Sequence, residues 1–117
     1  MGYWAKATIS FGYDVPNSLD ADWLEADAPE EEATRLIQDR FKHWEYSPEV
    51  TIRPGGGYRL VLVSYSASGN AYSAPLADNA LEVEYDDALA LRDVAKHLGW
   101  DPGKEALPNW VLSSEYV

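Results

Sequence analysis

The sequence predicts an α+β protein, an antiparallel sheet of four or five strands with two helices on one face. Three observations predict it. The N-terminal stretch alternates apolar and polar residues at period two, two later stretches carry apolar residues at helical spacing, and Glu49–Ala67 sets strand-type residues on both sides of a glycine triplet. With 117 residues, 46% of them hydrophobic, the chain suits one globular domain spanning 1–117 with enough apolar surface to offset chain entropy.

Tyr3, Ala5, Ala7, Ile9, Phe11 and Tyr13 share one face, with Lys6, Thr8 and Ser10 opposite, the pattern of a half-buried strand. Asp14–Asp27 follows with Pro-Asn-Ser turn chemistry and predicts a loop holding a short helical turn around Trp23–Leu24. A helix is expected over about 28–44. Asp27 stands as its N-cap with Glu30 three residues on, as in a capping box, and Pro29 suits the first turn. Glu30, Glu31 and Glu32 favour the positive end of the helix dipole. Ala33, Leu36, Ile37, Phe41 and Trp44 form the apolar stripe, and Ser47-Pro48 ends the helix.

Glu49–Arg53 and Tyr58–Ala67 form the arms of a hairpin joined at Pro54-Gly55-Gly56-Gly57. In the second arm Tyr58, Leu60 and Leu62 alternate with Arg59, Val61, Val63 and Tyr65, so both faces are largely apolar, as in a central strand. Ser68-Gly69-Asn70 predicts a turn, Tyr72–Asn79 irregular chain, and Leu81, Val83 and Tyr85 a short extra strand. The second helix opens at Asp86 or Asp87 and buries Ala88, Leu91, Val94, Ala95 and Leu98. It closes with Lys96 and His97 before Gly99, and Pro102 bars continuation. Asn109–Val117 is the final strand. The resulting order, β-α-β-β-(β)-α-β, fits the split β-α-β, ferredoxin-like arrangement.

Composition narrows the function classes. The absence of cysteine excludes disulfides, thiolate metal sites and cysteine nucleophiles, and fits a reducing cytoplasm. The most apolar run, Leu60–Val63, falls far short of the roughly 20 residues of a membrane helix. Met1–Ser10 lacks the basic-then-apolar design of a signal peptide, and Lys6 stands where a myristoylation signal has Ser or Thr. A net charge of −11 argues against nucleic-acid backbone and anionic lipid as direct partners. It suits a protein partner with a basic surface, or simple solubility.

Two stretches are candidate sites. From Asp14 to Glu32 there are many acids and no Lys or Arg, and Asp20, Asp22, Glu25, Asp27, Glu30, Glu31 and Glu32 are candidates for docking on a basic partner. Trp23, inside that run, is a candidate anchor, and Asp86 and Asp87 belong to a second acidic cluster with Asp78, Glu82 and Glu84 at the other helix start. The plain alternative is a solvated face with ordinary acidic first turns. The second stretch is the glycine tip, where Arg53 and Arg59 flank Gly55, Gly56 and Gly57 and backbone N–H groups could cradle an anion. It lacks the Gly-Lys-Ser/Thr of a P-loop and joins two strands, so a plain hairpin tip is its alternative.

Other chemistry is thinner. Asp20-x-Asp22 with Glu25 and Asp27 lacks the glycine and distal glutamate of a calcium loop, so no metal or cofactor is expected. His43 and His97 fall near helix ends without a base–orienter pattern, and Ser10, Ser64 and Ser66 have no nucleophile elbow, so no catalytic residue is assigned. Trp4, Trp23 and Trp110 are expected to be partly exposed. The combination reads as a small acidic non-enzymatic binding protein, comparable in size and charge to phage anti-defence and bacterial immunity proteins. The alternatives are an anionic-ligand domain or enzyme using the Arg53–Arg59 loop, and an assembly protein that self-associates through its final strand or exposed tryptophans.

Overall fold

The computed structural model describes residues 5–53, 55–69, 83–103 and 107–116. The strand start at Tyr3 and Trp4, Pro54, Asn70, the irregular Tyr72–Asn79, Leu81 of the extra strand, the acids Asp78 and Glu82, and Val117 lie outside them. The elements in order are β1 (Ala5–Asp14), a 3-10 turn (Asp22–Glu25), α1 (Pro29–Arg40), β2 (Glu49–Ile52), β3 (Tyr58–Gly69), α2 (Tyr85–Leu98) and β4 (Asn109–Tyr116). The strands form one antiparallel sheet in the order β2-β3-β1-β4, so the expected α+β class is the observed one. That order is compatible with the split β-α-β arrangement, and β3 shares the centre of the sheet with β1.

Period two takes β1 into the core through Phe11 and Tyr13, which join Val50, Leu60 and Leu62 of the neighbouring strands. Ala33 and Ile37 of α1 and Ala88, Leu91, Val94, Ala95 and Leu98 of α2 complete the same cluster, so both helices cover one face. The two helices run antiparallel. Trp23, just ahead of α1, donates its indole N–H to the Leu98 carbonyl at the end of α2, at 2.8 Å. Beyond the far end of α1, the Trp44 indole lies 3.4 Å from Asp87 Oδ1 in the first turn of α2.

The alternation expected in β3 is interrupted. Phe11 pairs with Val63 but Gly12 pairs with Val61, leaving Leu62 as an extra residue in a β-bulge. Arg59 and Val61 therefore stand with Gly12 and Asp14 on the face away from the helices, while Val63 and Tyr65 pair with Phe11 and Ile9 on the helix side. Gly12 is required at this point, because a Cβ there would fall 1.8 Å from the Leu60 carbonyl oxygen.

Several boundaries differ from expectation. α1 spans Pro29–Arg40, not 28–44, and its N-cap is Ala28, with no side-chain cap bond from Asp27. Pro29 has no N–H to satisfy, and Glu31 and Glu32 bond the Ala28 carbonyl through their backbone. The apolar period runs on to Trp44, but the chain leaves the helix at Phe41 because Trp44 packs edge-on against Tyr46, 5.5 Å away, and turns toward Asp87. α2 begins at Tyr85 with Glu84 as N-cap, so Asp86 and Asp87 occupy its first turn instead of capping it. Its other end is as expected: Gly99 has φ 116° and Trp100 N–H bonds Ala95 O, a Schellman ending. Ser68 and Gly69 belong to β3, opposite Lys6 and Ala5, and Val83 and Glu84 are not in a strand. Among the described residues no helix is long and apolar enough to cross a membrane.

Candidate functional site

The two arginines of the glycine hairpin are engaged by the protein itself. Arg59, 5% exposed, reaches from β3 across β1 to β4. Its Nε donates to Ser10 Oγ at 3.1 Å, Nη1 to Asp14 Oδ1 at 3.0 Å, and Nη2 to the carbonyls of Ser10 at 3.2 Å and Asn109 at 2.7 Å. Arg53 approaches the same carboxylate, with Nη1 3.4 Å from Asp14 Oδ2, and its Nη2 lies 3.4 Å from Asn17 Oδ1. The hairpin closes through Arg53 N–H to Gly57 O at 2.9 Å and Gly56 N–H to Arg53 O at 3.0 Å. Gly55, Gly56 and Gly57 all have positive φ, and a Cβ on Gly57 would meet the Arg53 guanidinium at 2.5 Å. The guanidiniums expected to flank an external anion thus converge on Asp14. Sequence weighs Ser10 only as a nucleophile and Asp14 only as the start of the acidic run; the one signal of their meeting with Arg59 and Asn109 is an isolated glycine, Gly12, inside a strand pattern.

The acidic stretch is arranged differently. Asp20, Asp22, Glu25, Asp27 and Glu31 are exposed and Glu30 and Glu32 half-buried around the 3-10 turn and the start of α1. Among the described residues, Glu32 alone of these seven forms an ion pair. It bonds Arg35, which also pairs with Asp39 at 3.0 Å, and the Arg35 hydrogen bond holds the Glu32 carboxyl below its usual range. Behind this shoulder runs a groove of about 330 Å³ between α1 and β2, with Glu30, Glu31 and Glu49 along its walls. Thr34 forms part of it, donating to Glu30 O at 2.8 Å and accepting from Val50 N–H at 3.0 Å.

Trp23 corrects an expectation. It is 4% exposed, not a surface anchor, and its ring packs edge-on against Tyr58 at 5.9 Å. The carbonyl of Leu98, at the end of α2, has no partner within its own helix, and the Trp23 indole supplies one. Trp23 therefore pins the 3-10 turn to α2 and leaves the neighbouring acids facing water. Trp110 is half-buried as expected, against Phe11 at 5.1 Å, while Trp4 lies outside the described residues.

Asp86 and Asp87 do not join the shoulder. The antiparallel helices carry the two acidic clusters to opposite ends of the pair, so the candidates form two patches. Asp87 is half-buried beside Trp44, and burial first, then the nearby Asp87, Glu45 and Glu84, raises the Tyr46 hydroxyl above its usual pKa. His97 Nε2 lies 3.2 Å from Leu36 O with its ring edge-on to Phe41, and His43 is exposed. No protein-family model, curated protein or solved structure matches the chain.

Proposed function

We propose that this is a small acidic, non-enzymatic binding protein that docks on a basic surface of a partner protein through the shoulder formed by Asp20, Asp22, Glu25, Asp27, Glu30 and Glu31. One observation carries the proposal: six carboxylates share one shoulder, and among the described residues none has an ion pair. Meanwhile Arg53 and Arg59 are spent on Asp14, and Arg35 on Glu32 and Asp39. Like charges left unneutralised repel one another, and a cationic partner relieves that repulsion while speeding encounter. The size and the charge of −11 resemble those of inhibitors such as phage anti-defence or immunity proteins, which is an analogy of physical type alone.

The test is capture of a partner from the native host by the wild-type chain and by Asp22→Lys/Glu25→Lys/Asp27→Lys, whose three sites are exposed and outside α1. Capture by wild type at low salt, lost at high salt and lost in the triple variant, is the expected result. Equal capture by both proteins removes the proposal.

A further inference from the structure

The two edges of the sheet are finished in different ways. β2 is four residues long, follows the buried Pro48, and has its Val50 N–H taken by the Thr34 hydroxyl of α1, so the helix closes that edge. β4 is eight residues long and, among the described residues, is paired only with β1. It contains no proline and a single charged residue, Glu115. A long edge strand with so little charge lacks the usual protection against pairing with another strand.

The surroundings of β4 share this character. Register sets Glu115 opposite Lys6 of β1. Apart from that pair, β1 from Ala5 to Tyr13, β3 from Leu60 to Gly69 and all of β4 hold no charged residue, in a chain of net charge −11. Leu112, Ile9 and Tyr65 lie abreast across the three strands, with Leu112 70% and Tyr65 38% exposed. Water-exposed apolar side chains thus adjoin an edge that is nearly neutral and, among the described residues, unpaired.

We infer that the edge of β4 away from β1 is an interface between two copies of this chain, each β4 pairing antiparallel with the other so that two four-stranded sheets become one of eight strands. An antiparallel pair of identical strands is self-complementary about a two-fold axis perpendicular to the sheet, which passes where a residue meets its own copy; with the axis at Leu112, residues 109–115 of the two strands pair. Charge selects a second copy as the occupant. Two chains of −11 repel, and this part of the sheet, whose strands carry one lysine and one glutamate in register, is where they can meet without opposing like charges. The interface is separate from the acidic shoulder and responds to salt in the opposite sense.

Sedimentation equilibrium of the whole chain, over a concentration series at low and high salt, tests this. The expected result is a monomer–dimer equilibrium in which salt increases the dimer by screening the repulsion. Leu112→Lys should weaken the dimer by about tenfold or more, because the two lysines face each other across the axis, while melting at low concentration stays unchanged. Amides of 109–115 should gain hydrogen-exchange protection as concentration rises. A monomer at every concentration and salt overturns the inference, and so does a dimer that Leu112→Lys leaves intact. The shoulder variant Asp22→Lys/Glu25→Lys/Asp27→Lys keeps its dimer if the β4 interface stands, whatever happens to partner capture.

Discussion

Asp14 and Asp22 are both exposed acids on the approach to α1, and the fold treats them in opposite ways. Asp14 lies between Arg59 Nη1 at 3.0 Å and Arg53 Nη1 at 3.4 Å, next to a guanidinium that ties three strands together. Asp22 stands on the 3-10 turn with no cation bonded to it among the described residues. Where the architecture depends on charge, that charge is paired, and every nitrogen of Arg59 has a partner, although Arg53 Nε is buried without one. The acids of the shoulder carry no such duty. Substituting them is expected to leave the fold intact, and under the proposed function they serve a partner.

The sharpest way to break the comparison is to attack the clasp. Arg59→Met keeps the apolar stem but leaves the Ser10 hydroxyl and the Ser10 and Asn109 carbonyls without their donors, and should cost about 3 kcal/mol of stability, read by urea unfolding. If Arg59 were as dispensable as the shoulder acids, the midpoint would not move. Trp23→Phe probes the residue that holds the shoulder in place. It should cost about 1 kcal/mol by orphaning the Leu98 carbonyl, and should mobilise the 3-10 turn in hydrogen exchange.

A smaller effect lies between the two regimes, at Glu32. Its Arg35 hydrogen bond lowers the folded-state pKa below the usual 4.5, so the bond contributes stability above that value. The contribution is lost as pH falls through the folded pKa. The melting temperature of wild type should therefore exceed that of Arg35→Gln at neutral pH, with the gap closing as the solution is acidified. A gap that widens on acidification contradicts the assignment.

Much of the architecture was legible because it rests on local patterns. The alternation of Ile9, Phe11 and Tyr13, the stripe of α2 and the left-handed stop at Gly99 all appear where the residues place them. What escaped depends on partners distant in sequence. The bulge at Leu62 inverts the outer half of β3, and Gly12, which makes room for it, was its only trace. α1 ends early because Trp44 finds Tyr46 and Asp87, which no helical period encodes. Trp23 reads as exposed among acids, yet a carbonyl 75 residues away buries it. The acids of the shoulder were visible as residue types, but their separation from Asp86 and Asp87 follows from the antiparallel helices, a property of the assembled layers.

The central claim is that the unpaired acids are for binding and the paired ones for folding. Its most direct measurement is the affinity of the captured partner for wild type and for Asp22→Lys/Glu25→Lys/Asp27→Lys as a function of salt, with unfolding measured alongside. Unfolding free energies should agree within about 0.5 kcal/mol per site, as for surface substitutions. Wild-type affinity should fall steeply with salt while that of the triple variant is weak and nearly flat. Equal affinities with equal salt slopes would contradict the account.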